Sequence, residues 1–218
     1  MWKKHIRGAF FTQSVFLITD RKNHIYNRRN VVKWRKRKSA ENGETADLEK
    51  EETNMYFGVQ MYGVSKEWKQ DPEGFLKKIY EAGYRQIEPC LGFRVDARDY
   101  GFWIPEDLEQ AMPLLAKYHI EVHAVHIFLD EYHYERELAI LTELAQKYHI
   151  SWFVVKSPAR LTKDVLDETA ARYRELAEEL EKAGAGLLIH NEKEDICIRV
   201  NGKTAYEYLL EACGEKVG

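Results

Sequence analysis

Short apolar or β-branched runs alternate with longer stretches of helical period over most of this chain, and that alternation recurs five times. The runs are Tyr56–Tyr62, Tyr84–Pro89, Ile120–Phe128, Ile150–Lys156 and Ala185–His190, with successive starts 28, 36, 30 and 35 residues apart. Spacing of that size leaves room for one crossover helix between parallel strands, which cannot be joined by a tight hairpin. The helical stretches carry their own end signals. Asp71-Pro72 supplies a cap and a first-turn proline, Phe75, Leu76, Ile79 and Ala82 share a face, and Gly83 ends it. Leu138, Leu141, Leu144, Ala145 and Tyr148 form the next clear stripe, and Leu166, Ala170, Tyr173, Leu176, Ala177 and Leu180 the longest, closed by Gly184. The helix starting near Pro105 is less regular: Pro113 lacks an amide donor where the interior should be, which predicts a kink or a late start.

Trp152–Val155 and Gly186–Ile189 are apolar without alternation, which implies strands buried on both faces of a helix-covered parallel sheet. Two α/β architectures fit, an eight-stranded (β/α) barrel and an open doubly wound sheet. The loop after the first strand is Gly63-Val64-Ser65 rather than the Gly-x-Gly-x-x-Gly that a dinucleotide fold would place there.

Charge divides the chain in two. Residues 1–38 hold 12 Lys/Arg against Asp20 alone, residues 39–54 hold six acids against Lys50, and the remaining 164 residues hold 20 bases against 29 acids. The expected domains are therefore a basic then acidic extension at 1–54, read as a solvated disordered segment, and a folded body at 55–218. Lys3, Lys4 and Arg7 ahead of a short apolar piece resemble a secretory leader, but Thr12, Gln13 and Ser14 interrupt it and no small-residue cleavage site follows. The cluster around Trp34 would also suit a tether to nucleic acid or an anionic membrane. Mean hydropathy is −0.55, and no apolar run approaches the length that spans a bilayer. Three cysteines, Cys90, Cys197 and Cys213, show neither metal-ribbon spacing nor an even disulfide count, which fits a reducing, cytoplasmic setting.

In either α/β architecture chemistry sits at the carboxyl ends of the strands. The polar residues there are Tyr62, Glu88, His126, Lys156, and His190 with Asn191. A carboxylate and two imidazoles on one rim could hold a divalent metal or move a proton on a polarised substrate. Each has a plainer alternative: Glu88 satisfied by Arg94, Lys156 reaching solvent or contacting a phosphate, and His123 facing out toward a helix because strand residues three apart point oppositely. His119 and His149, in the Lys-Tyr-His-Ile repeats at 117–120 and 147–150, fall at helix ends on the other rim, where capping is expected.

Several segments resemble one family. Phe57-Gly58-Val59-Gln60-Met61-Tyr62, Asp71-Pro72, Tyr80-Glu81-Ala82-Gly83-Tyr84-Arg85-Gln86-Ile87-Glu88, Val125-His126, Gly186-Leu187-Leu188-Ile189-His190-Asn191 and Gly202-Lys203-Thr204-Ala205-Tyr206 are similar to the xylose isomerase-like TIM barrels grouped as sugar phosphate isomerases and epimerases. The resemblance runs through about 55–213. It implies a sugar, sugar phosphate or inositol substrate and a divalent metal (Mn, Mg, Zn or Co) at the carboxyl end of the barrel. Carried onto this sequence, the ligands would be Glu88, His126 and His190, with Glu192 standing where many relatives have another His. Catalytic roles would fall to Glu88, His126 and His190, and substrate contacts to Tyr62, Lys156 and Asn191. A whole barrel takes about 250 residues and eight units, so five units imply an incomplete, truncated barrel, without the later strands that bring Asp, His and Glu ligands in relatives.

The leading expectation is thus a metal-assisted sugar isomerase or epimerase. The alternatives are a non-catalytic barrel remnant with at most ligand binding, and a DNA-repair endonuclease of the same superfamily, which the acidic body disfavours as it disfavours any nucleic-acid partner. No membrane partner is expected, and a homo-oligomer is one way to cover exposed sheet edges.

Overall fold

The computed structural model describes residues 15–19, 55–129 and 133–218, with side chains from residue 58 onward and again excepting 130–132. Five strand positions run parallel and neighbour one another in chain order. The first is β2 (Met55–Gln60). The second is split by Pro89 into β3 (Gln86–Glu88) and β4 (Cys90–Gly92), and the third is split at His123 into β5 (Glu121–Val122) and β6 (Ala124–Phe128). β7 (Trp152–Lys156) and β8 (Gly186–His190) complete the array. β2 pairs β3, β3 pairs β5, β4 pairs β6, β6 pairs β7 and β7 pairs β8, every pair parallel. Strand order that never reverses is barrel winding; a doubly wound sheet turns back at a switch point. The crossovers are α1 (Ser65–Gln70) with α2 (Pro72–Glu81), α3 (Pro105–Lys117), α4 (Tyr134–Tyr148) and α5 (Lys163–Lys182). After β8 come α6 (Lys193–Cys197), the hairpin β9 (Arg199–Val200) and β10 (Lys203–Thr204), and α7 (Ala205–Cys213). Val217 then lies alongside Leu187 in parallel register, its neighbour Gly218 donating to the Leu187 carbonyl at 3.0 Å and accepting from the Ile189 amide at 2.8 Å.

The sequence reading of 1–54 as an extension falls almost wholly outside the described residues. Within it, β1 (Val15–Thr19) pairs antiparallel with β2, Val15 opposite Val59 and Thr19 opposite Met55.

Helix ends follow local chemistry. The Asp71 carboxylate accepts from the Gly74 amide at 2.9 Å and Pro72 opens α2. Gly83 closes it with φ +96°, a conformation that costs a glycine nothing. α3 starts at Pro105 and continues through Pro113, so the late start expected there does not occur, and Pro113 leaves one amide bond missing on an exposed face. His119 and His149 both take left-handed φ, 52° and 56°, where the chain leaves α3 and α4 for buried Ile120 and Ile150. The two Lys-Tyr-His-Ile repeats do the same work. Lys117 and Tyr118 both reach Glu73 of α2, and Lys147 and Tyr148 reach Glu109 of α3, so each helix end clasps the preceding helix.

The core lies between sheet and helices. Ile87, Leu91, Val125, Ile127, Phe153, Val155, Leu187 and Ile189 project from the sheet onto Leu76, Leu108, Leu141, Leu166 and Leu176 of the helices. Each such aliphatic side chain contributes roughly 2 kcal/mol by leaving water. β7 is buried on both faces, as its continuous apolar sequence implied, but β8 is not: Leu187 and Ile189 are buried while Gly186, Leu188 and His190 are half-buried. The inner side of β8 is only partly covered among the described residues. No helix there is long and apolar enough to cross a membrane.

One irregularity sets the site. β3 and β5 align Ile87 with Val122, whereas β4 and β6 align Cys90 with His126. Glu88 and Pro89 therefore stand opposite three residues, His123, Ala124 and Val125, which is a bulge. The His123 carbonyl accepts from both Ser151 and Trp152 amides, at 3.0 and 3.2 Å. Without the extra residue Val125 would face Cys90 and His126 would turn toward the helices, because a one-residue slip exchanges the two faces of a strand.

Candidate functional site

The carboxyl ends of the strands enclose a cavity of about 630 Å³ lined by Gln60, Tyr62, Cys90, Phe102, His126, Phe128, Lys156, His190, Asn191, Glu192, Lys193 and Glu194. Tyr62, His126, Lys156, His190, Asn191 and Glu192, all singled out in the sequence, thus face one space. Glu88 does not line it. Its carboxyl is 4% exposed and lies beneath the rim, Oε1 3.8 Å from His126 Nδ1.

That separation is beyond a hydrogen bond, and Glu88 Oε1 has no hydrogen-bond partner. Arg94, the satisfying base considered from sequence, instead forms an exposed fork on Asp96 at 3.1 Å. Burial pushes the Glu88 carboxyl up to about 8. Burial also pushes the His126 imidazole down to about 4, helped by nearby His190 and Lys156 and opposed by Glu192. At neutral pH both groups are therefore uncharged, a carboxylic acid beside a neutral imidazole, because neither charge is hydrated or hydrogen-bonded. Both nitrogens of His126 and Nδ1 of His190 are buried without hydrogen-bond partners, and the two rings meet edge-on at 5.2 Å.

One wall is aromatic. Tyr62 stands 5.6 Å from Phe102, Phe102 stacks on Phe128 at 4.3 Å, and Phe128 stacks on His126 at 5.0 Å. The opposite rim is charged: Lys156 Nζ lies 2.6 Å from Glu192 Oε1, both side chains 40% exposed. The Lys156 bond holds the Glu192 carboxyl below the usual carboxylate range. The Glu192 amide donates to Asp195 Oδ2 at 2.8 Å, as does the Ser157 hydroxyl, which ties the loop after β8 to the loop after β7.

Six lining residues were missed from sequence: Gln60, Cys90, Phe102, Phe128, Lys193 and Glu194. Where the sequence reading ended the first strand at Tyr62, β2 ends at Gln60, which the same strand-end rule would have found. Gln60 donates to Cys90 Sγ at 3.2 Å, and burial pushes the Cys90 thiol up to about 12. Phe128 ends the third strand beside His126, whereas Phe102 lies in a loop that no local pattern directs into the site.

The expected metal donors do not close around one point. Among the described residues no group of three His, Cys, Asp or Glu side chains could hold a metal ion. Glu88 and His126 approach each other, the rings of His126 and His190 meet edge-on, and Glu192 is engaged by Lys156. These residues do not fit a resident metal.

No family profile and no curated protein matches the chain. Solved structures do. A sugar phosphate isomerase/epimerase from Parabacteroides distasonis ATCC 8503 superposes with a TM-score of 0.59 at 20% identity, covering 73% of this chain and 62% of that one. A xylose isomerase-like TIM barrel protein from Mycobacterium smegmatis, solved in complex with magnesium, gives 0.50 at 16% identity, covering 74% and 62%. The fold is accordingly that of the xylose isomerase-like TIM barrels, with the likeness expected from sequence present in the architecture. The chain spans about 62% of the length of these proteins, and the described residues supply five parallel strand positions.

Proposed function

We propose that the cavity is a proton-transfer site for a small polyhydroxylated carbonyl compound, a sugar or sugar derivative, and that the reaction is an isomerisation or epimerisation. The observation that carries this reading is the pair of neutral, unsatisfied groups, His126 at the cavity wall and Glu88 behind it, set beside His190 and an aromatic wall. Paired titratable groups whose surroundings drive their pKa values apart are the usual form of an acid/base site. Aromatic faces suit the C–H face of a sugar ring, while the amide of Gln60 and the side chain of Asn191 suit its hydroxyls.

His126 takes the proton from the carbon next to the substrate carbonyl, and His190 hydrogen-bonds the carbonyl oxygen as negative charge develops there. The new imidazolium then lies 3.8 Å from Glu88. The imidazolium returns that same proton to the enediolate, while the Glu88 carboxyl keeps its own proton and presents Oε1 to the transient charge. Glu88 is thus a positioning residue, acting through His126.

The test is deuterium wash-in. A panel of aldoses and ketoses in D2O should exchange the proton alpha to the carbonyl in the presence of the full chain, read by proton NMR. A general base contributes roughly 100-fold or more, so His126→Asn should cut exchange by at least that factor. Exchange by the wild type that survives His126→Asn unchanged would remove His126 from the chemistry. No exchange with any sugar would remove the reaction itself.

A further inference from the structure

We propose that Lys156 is the anion-binding residue of this cavity and that Glu192 is its internal placeholder, so that a substrate carrying a phosphate or carboxylate binds by displacing the Glu192 side chain from the lysine. The inference rests on the reading of the cavity as a substrate site and adds the chemical class of its ligand.

Three observations lead there. The parallel register of β7 and β8 sets Lys156 opposite His190, so the ammonium stands at the rim beside an imidazole rather than out over a helix. Lys156 and Glu192 both line the cavity, where the other polar wall is His126, buried and without a hydrogen-bond partner on either nitrogen. An anion held by Lys156 at that wall could also accept from an imidazole N–H. Finally, the Glu192 backbone is anchored while its side chain is not. Its amide is fixed to Asp195, which is fixed to Ser157, yet its carboxyl is bound through Lys156, with 40% of the side chain exposed. Rotation of one side chain would uncover the lysine with no movement of the loop.

Magnitude decides whether exchange is feasible. A half-exposed ion pair is a weak interaction in water, and a phosphate brings about two charges where Glu192 brings one.

The experiment is calorimetric titration of the full chain with inorganic phosphate, and separately with acetate to distinguish phosphate from carboxylate recognition. Glu192→Gln removes the competing carboxylate and should tighten phosphate binding by about 1.4-fold to fivefold, the range expected for loss of an exposed pair. Lys156→Met should abolish binding, Lys156→Arg should retain it, and Lys182→Met, which removes a cation of α5 outside the cavity, should leave it unchanged. Equal phosphate affinity in wild type and Glu192→Gln, binding that persists in Lys156→Met, or no heat in any variant would overturn the proposal. Neutral sugars in the D2O assay report on proton transfer independently, so failure here leaves that reading standing, and failure there leaves this one.

Discussion

Replacing Glu88 by glutamine converts a buried acid into a pH-independent group of nearly the same shape, and the difference is measurable as stability. The carboxyl has an ordinary value of 4.5 and rises to about 8 in the fold. Folding thus takes up a proton between those limits. The neutral acid is tolerated at low pH, and the cost of burying the carboxylate grows as pH rises from 4.5 and is complete above 8. A difference of about 3.5 in pKa corresponds to about 5 kcal/mol, of which about 4 kcal/mol falls between pH 5 and 9. His126 carries the opposite sign. Its imidazole falls from 6.5 to about 4, so the stability of its neutral form is present above 6.5 and is lost as pH falls toward 4. Because His126 is present in both proteins, its contribution largely cancels in the comparison. Urea unfolding of wild type and Glu88→Gln at unit steps from pH 5 to 9 should show the variant gaining about 4 kcal/mol on the wild type. A difference that stays flat within about 1 kcal/mol, or a wild type that gains with pH, would refute the burial argument.

Two further substitutions probe the scaffold. A Cβ at Gly186 would lie 2.3 Å from Cζ3 of Trp152 across the β7–β8 pair, so Gly186→Ala should cost about 1–3 kcal/mol from overpacking, read as a fall in unfolding midpoint; no change would mean that the indole has room to turn aside. Asp71→Ala removes the acceptor for the Gly74 amide at the start of α2 and should cost about 1 kcal/mol, while Asp71→Asn should recover most of it in the same thermal melt.

Local order was legible because it is written in neighbouring residues. The spacing of apolar runs indicated parallel strands with crossovers, Asp71-Pro72 and Gly83 marked the ends of α2, and the strand-end rule brought together Tyr62, Glu88, His126, Lys156, His190 and Asn191, all of which except Glu88 line the cavity. Pro113 shows the limit of such reasoning: one lost amide bond is smaller than the packing of Leu108, Ala111 and Leu115 on the same helix, so α3 continues through it.

The amino-acid order by itself therefore determined the elements, their parallel sense and the polar inventory of the rim, since these depend on periodicities of two and 3.6 residues that each segment carries alone. Tertiary structure decided what that inventory can do. The extra residue at His123 turns His126 inward, and it exists only as a mismatch between two strands some 35 residues apart. Glu88 lies beneath the rim, and its proton is held by the exclusion of water that the surrounding packing brings about. Glu192 meets Lys156 instead of the imidazoles because β7 and β8 end side by side. Register, burial and cross-strand pairing belong to no segment separately, and the chemistry of the site is made of those three.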